Sequence, residues 1–364
     1  MMKKTLLFIF IILLVLSIGN VSATNDTDTS TSDITNHDNV ISENTENNNT
    51  ILLSNGNAQK SMVELENTIK NNKNTTILLN NDYQWTQQDT DLEKGIILDK
   101  SIGIDGQGHT IDAKSKMRIF QVTNNAMVTF KNINFLNGKF DSMWALVWGG
   151  AVWNKGAKKV TLINCTFTGN NAEYGGAIYK CIAINCTFTN NAASRGGAIF
   201  AKKDIIVKNT TFINNKAETL LNQCCGGAIF ANTITWINNP SYFIGNYVDD
   251  NQGGAISTNK FETDVKYAVF INNNVKSNDD GGAIYINEEN HITFAKCYFE
   301  NNRCGDEGGA IYLDSRYSHL TLKDNSFINN TAGGEGQTVF NKGYYDEISN
   351  IIGEIKILPQ IMIN

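Results

Sequence analysis

Gly175-Gly176-Ala177-Ile178-Tyr179, followed by Phe188-Thr189-Asn190-Asn191, is the stretch that decides the fold. Gly-Gly-Ala followed by Ile or Val begins at Gly149, Gly175, Gly196, Gly226, Gly253, Gly281 and Gly308. After each copy comes Phe-x-x-Asn, at Phe167/Asn170, Phe188/Asn191, Phe212/Asn215, Phe243/Asn246, Phe270/Asn273, Phe299/Asn302 and Phe327/Asn330. A two-part motif returning about every 27 residues is the mark of a stacked solenoid.

Each repeat holds three short runs of β-branched and aromatic residues, broken by Asn and Gly. One is Gly-Gly-Ala-Ile-aromatic, one alternates as in Val160-Thr161-Leu162-Ile163, and one carries the Phe. Such runs are strands, too strand-rich for a helical solenoid and too poor in Leu for leucine-rich repeats. Three-stranded coils stacking in parallel make a right-handed β-helix, since parallel crossovers are right-handed. About nine coils at about 4.8 Å predict a rod of roughly 45 Å. The repeat Phe residues are expected inside as a stack, the Asn residues as a ladder in left-handed turns, and Gly-Gly at another corner.

Outward from the repeat, the sequence divides further. Residues 1–23 read as a signal peptide: Lys3 and Lys4, an apolar run Leu6 to Ile18, and a cleavage site at Val21-Ser22-Ala23. Residues 24–57, rich in Asn, Thr, Ser and Asp, read as a disordered acidic linker. Residues 58–94 are expected to form an N-terminal cap. Its one helix spans 61–71, with Ser61 and Glu64 as a capping box and Met62, Leu65 and Ile69 on one face. The all-β helix is assigned to 95–350 and a C-terminal cap or tail to 351–364. No later segment reads as a membrane span.

Of 364 residues, 41% are hydrophobic and 18% charged, enough for a sizeable core. Loss of Lys3 and Lys4 leaves 28 basic and 36 acidic residues. A mildly acidic secreted chain with scattered Lys and Arg is not expected to bind nucleic acid. Seven cysteines are present. Cys165, Cys186 and Cys297 precede the repeat Phe by two, where other coils have Thr210, Ser241 and Ala268; Cys304 takes an Ala slot. They read as small core fillers without disulfides, leaving Cys224-Cys225 as the exposed, reactive pair. Sequons at Asn164, Asn185 and Asn209 fall in a repeat strand, where they are expected to be inaccessible.

Gly-Gly-Ala-Ile paired with Phe-x-x-Asn resembles the repeat of chlamydial polymorphic membrane proteins. With Ser101 to Asp112 and Val128 to Phe135, the chain from about 60 to 345 resembles the adhesin-like β-helix proteins of methanogenic archaea. The resemblance implies a pectin-lyase-like solenoid in a secreted, cell-surface protein that adheres to cells or polymers. It is weak for activity, because a fold does not imply a function.

Two sets of residues stand out as sites. After each Gly-Gly-Ala-Ile/Val come Trp153, Tyr179, Phe200, Phe230, Ser257, Tyr285 and Tyr312. Alternation places them opposite the Ile, so they form an outer stripe suited to sugar faces if Ile178 points inward, and core if the register is reversed. Asp249-Asp250, Asp279-Asp280 and Asp306-Glu307 precede the Gly-Gly corners of consecutive coils. Stacked, Asp279, Asp280, Asp306 and Glu307 can hold Ca²⁺, or they are a solvated acidic turn. No other cofactor is expected. Asp105-Gly106-Gln107-Gly108-His109 superficially resembles a hydrolase Gly-His motif but reads as a tight turn. Arg195 and Arg303 lie several coils apart and make no catalytic pairing. The expected function is therefore a non-enzymatic adhesin-like protein binding a surface glycan, or a cell-surface protein, along its flank. The alternative is a polysaccharide lyase or glycoside hydrolase on the same fold.

Overall fold

A computed structural model describes residues 59–140, 146–218, 225–237, 240–348 and 350–353. The signal peptide, the linker and Cys224 lie outside the described residues. What is described is a right-handed parallel β-helix of about ten coils. The Phe-bearing strands form one twelve-stranded sheet from Lys60–Ser61 to Ile351–Gly353. Eleven steps of about 4.8 Å make this wall about 53 Å long. The Gly-Gly-Ala-Ile strands and the alternating strands of the earlier coils share a fifteen-stranded sheet; the alternating strands from Val265–Lys266 to Tyr344–Ile348 form a four-stranded sheet of their own, and a second four-stranded sheet completes the walls. The parallel ladder reaches back into 58–94: Lys60–Ser61 pairs with Tyr83–Gln84, which pairs with Thr110–Asp112.

In-register parallel stacking places like residues over like. Phe167, Phe188, Phe212, Phe243, Phe270, Phe299 and Phe327 are buried, and consecutive rings lie 4.7–5.0 Å apart at 5–11°. Phe135 adds an eighth ring, 4.8 Å from Phe167. Its coil has Gly138 where the others have the ladder Asn.

The side chain of every ladder Asn is hydrogen-bonded. Asn215 Oδ1 accepts from the Asn191 backbone N–H (3.1 Å) and from Asn191 Nδ2 (2.9 Å). Asn215 Nδ2 donates to the Phe188 carbonyl (3.0 Å) and to Asn246 Oδ1 (3.0 Å). The pattern repeats from Asn170 to Asn330. One expectation needs correcting: the ladder Asn residues are not left-handed. The residue just before each one is, at Gly169, Asn190, Asn214, Gly245, Asn272, Asn301 and Asn329 (φ 51–66°). The ladder Asn is selected for its amide, and its predecessor for tolerating positive φ.

The Gly-Gly corner uses its two glycines differently. Gly175 has φ +66°, a left-handed angle natural to glycine. At Gly176 an added Cβ would lie 2.2 Å from the Gly197 carbonyl oxygen and 2.4 Å from that of Ala192. The second glycine is there so that backbones can touch. An eighth corner, Gly336-Gln337-Thr338-Val339-Phe340, pairs in register with Ile311–Leu313 and escaped the motif because Gln and Thr replace Gly and Ala.

The N-terminal helix is Met62–Asn71, with the Ser61/Glu64 capping box formed and Met62 and Leu65 fully buried. Asp89 pins it to the solenoid: its carboxylate accepts from the Val63 N–H at 2.8 Å and the Thr86 N–H at 2.6 Å. Cys165, Cys186, Cys297 and Cys304 are buried free thiols in the small-residue slots. Cys225 is only half-buried, and burial pushes its thiol up to about 11. Asn164, Asn185 and Asn209 are exposed, contrary to expectation, because they sit in a left-handed turn that ends the strand. Among the described residues no helix is long and apolar enough to cross a membrane.

Candidate binding face

Ile178 and its equivalents are in the core, so alternation sends the aromatic series to the outer side of the wall. Parallel register then stacks it: Trp153 pairs with Tyr179, Tyr179 with Phe200, and Phe200 with Phe230. The outer position does not leave the rings open. Phe200, Tyr285 and Tyr312 are buried, while Trp153, Tyr179 and Phe230 are half-buried. Tyr179–Phe200, Phe200–Phe230 and Tyr285–Tyr312 stack face to face at 5.7, 5.1 and 5.2 Å. Within these pairs each ring covers its partner's face and offers an edge where a flat platform was expected, while Trp153 packs against Trp148 at 5.3 Å.

Ser257 interrupts the stripe, and the two halves differ in chemistry. On the N-terminal side Arg118 lies over Trp153 (4.6 Å), Lys155 over Trp153 (5.1 Å), Lys180 over Tyr179 (5.9 Å) and Arg195 over Phe230 (6.0 Å). Arg118 is fully buried. Its Nε donates to the Gly149 carbonyl at 3.0 Å and its Nη1 to that of Lys94 at 3.0 Å, and burial lowers it to about 10. On the C-terminal side Tyr285, Tyr312 and Phe340 form a separate cluster. Tyr285 and Tyr312 donate their hydroxyls to Asp314, which is paired with Lys342. Burial pushes both phenols up, and Asp314 adds to the effect.

The acidic corners do stack, but their oxygens do not converge as a metal cage requires. Asp279 Oδ2 accepts from the Asn251 N–H (2.9 Å) and Ser277 Oγ (2.5 Å), and Asp280 Oδ1 from the Glu307 N–H (3.1 Å). Among the described residues no three His, Cys, Asp or Glu side chains are grouped to hold a metal ion. Asp280 and Glu307 both titrate above the ordinary carboxylate range. Burial is the main cause for each, followed by repulsion from neighbouring carboxylates, Asp306 among them. The Asp105–His109 segment is a turn: Asp105 Oδ1 accepts from the Gln107 N–H at 3.0 Å, and Gln107 and Gly108 have φ of 50° and 87°.

Two further features were not read from the sequence. The first is a groove of about 420 Å³ near the N-terminal end. Its floor is Gly103, in register with Thr76 and Thr129 on either side. With no side chain at Gly103, the two threonines stand as walls, and Ser101, Met127, Asp105 and Lys131 complete the rim. The signal was an Ile-Gly-Ile strand with its glycine on the outer row.

The second feature is a division of charge. Residues 59–218 hold nineteen basic and thirteen acidic side chains, while 219–353 hold eight and sixteen. In a solenoid, sequence order is position along the rod. The scattered Lys and Arg therefore become a basic N-terminal half and an acidic C-terminal half.

Comparison with known families agrees with this architecture. Residues 56–174 match the family profile of a pectate lyase-like adhesive domain. Residues 185–202, 209–232 and 296–314 match the Chlamydia polymorphic membrane protein repeat. No curated protein and no solved structure gives a significant match. The two families fit an adhesin-like protein built from such repeats and carry nothing about an archaeal source.

Proposed function

We propose that the chain is a cell-surface adhesin-like protein that binds a surface glycan along the flank of its β-helix and does not cleave it. The observation that carries this reading is the Gly103 groove, open on the rod's side, within the segment matched to an adhesive domain. Hydroxyls of Thr76, Ser101 and Thr129 beside the apolar Met127 suit a sugar, which presents hydroxyls at its edge and C–H groups on its face. The adhesive description of the matched family favours binding over catalysis. Glycan-array binding of the mature chain, run beside an assay of reducing-end release, tests both halves. Retention without release is expected; release of reducing ends transfers the case to a polysaccharide lyase or hydrolase.

A further inference from the structure

We infer that the glycan is acidic, and that it lies on a track formed by the groove and a basic corner beside it. This rests on the glycan-binding reading above. The corner is the turn that follows each outer aromatic. In three consecutive coils it carries Lys155, Lys158, Lys159, Lys180, Lys202 and Lys203, all exposed except the half-buried Lys180. Among the described residues none of the six has an ion pair. The same corner in later coils is different. Lys260 pairs with Glu262 at 2.8 Å, and Lys342 pairs with Asp314. Solubility alone does not explain this contrast, since the paired corners are solvated too. Like charges stacked one coil apart repel, and a bound anion relieves that repulsion.

Groove and corner are continuous. Met127, on the groove's rim, is the register partner of Lys159. A polymer leaving the groove along the rod axis meets Lys159 one coil on and Lys180 in the coil after. Asp204, exposed beside Lys203, closes the track on its C-terminal side. Trp153 and Tyr179, already under Lys155 and Lys180, line the adjoining edge. Ammonium groups beside apolar ring edges are the chemistry that recognises a sugar bearing carboxylate or sulfate. The acidic C-terminal half repels the same ligand, so binding is confined to one end of the rod.

The test is retention of the mature chain on alginate, hyaluronate and dextran sulfate, with dextran as the neutral twin and double-stranded DNA as a second polyanion. Three versions are compared: wild type, the triple variant Lys155→Gln/Lys180→Gln/Lys202→Gln, and Gly103→Val, which fills the groove. Lys260→Gln serves as the control in a paired corner. We expect at least one acidic polysaccharide to be retained, with affinity falling as salt rises. Three lost surface charges should weaken it about tenfold. Gly103→Val should weaken it as well, and Lys260→Gln should not. Equal binding by wild type and the triple variant overturns the inference, as does DNA bound as tightly as the best polysaccharide. Retention of dextran unaffected by the lysine changes overturns the acidic track while leaving glycan binding standing. No retention of any glycan removes both. Unchanged melting of each variant separates these outcomes from misfolding.

Discussion

Replacing Asn215 with Leu keeps the approximate shape of a fully buried side chain and deletes its amide. The structure states the cost. The Asn191 backbone N–H and one Asn191 Nδ2 hydrogen lose their acceptor, and the Phe188 carbonyl loses a donor. Each stranded buried donor costs about 1–3 kcal/mol, about 2–6 kcal/mol for the two, partly offset by the greater hydrophobicity of Leu, for a net loss of about 2–5 kcal/mol. Asn170→Leu is the internal standard. Asn170 begins the ladder, and its Oδ1 accepts only from the Gly138 N–H, at 2.7 Å, because Gly138 has no amide to send. One donor is stranded there instead of two, so the cost should be about half, 1–3 kcal/mol. Solenoid coupling runs between nearest neighbours, so the damage is local first. Native-state hydrogen exchange is the assay. Asn215→Leu should lower protection in the coils holding Asn191 and Asn246 and leave the N-terminal coils near Ile104 unchanged. Equal costs for the two variants, or a uniform loss along the rod, would refute the claim that the ladder stabilises by pairwise amide satisfaction.

Gly176→Ala forces a Cβ to within 2.2 Å of a backbone oxygen and should abolish folding at that corner, whereas Gly103→Ala, whose nearest contact is Thr76 Oγ1 at 3.1 Å, should melt close to wild type; circular dichroism melts of the two distinguish close backbone approach from a general need for glycine. Asp280 titrates above its unfolded value, so its ionisation costs stability as pH rises through the folded pKa, and that cost is absent below the unfolded pKa. Asp280→Asn should therefore raise the melting temperature at pH 7 and flatten its pH dependence in the acid range; a lower melting temperature at pH 7 contradicts this. Burial holds the Cys181 thiol above its ordinary value and pushes Cys297 and Cys304 up to about 12, so at pH 8 all three should resist alkylation in the native state and Cys225, at about 11, should react slowly; rapid labelling of Cys297 counts against the core assignment.

How far the sequence could be read depended on what the repeat exposes. The coil, the Phe stack and the ladder were legible because stacking in register demands the same residue at the same slot. The left-handed residue was misplaced because Asn often fills two adjacent slots, as at Asn190-Asn191, for two different reasons. The outer aromatics were correctly placed opposite Ile178, but their burial was not legible. Alternation gives a direction, while exposure depends on what the next coil lays over each ring, and Phe230 lies over Phe200 at 5.1 Å. The acidic pairs were visible as a column. Whether their oxygens converge depends on turn geometry, and there the backbone N–H groups of Asn251 and Glu307 take them. The groove was hidden because a single glycine in a short strand has no repeat to flag it.

The charge division explains why an acidic composition misdirects the choice of partner. A net charge of −6 describes the chain as though every charge were felt everywhere. At physiological salt the screening length is about 8 Å, less than two coil spacings of about 4.8 Å. Lys159 and Lys180 therefore reinforce each other, being one coil apart. Glu288, four coils beyond Lys180 at about 19 Å, scarcely offsets them. Local sums decide what a rod of stacked coils attracts, and those sums run over two or three consecutive coils. Lysines some 22 to 25 residues apart in the chain are neighbours on that scale, so a basic face exists on a chain whose composition denies it.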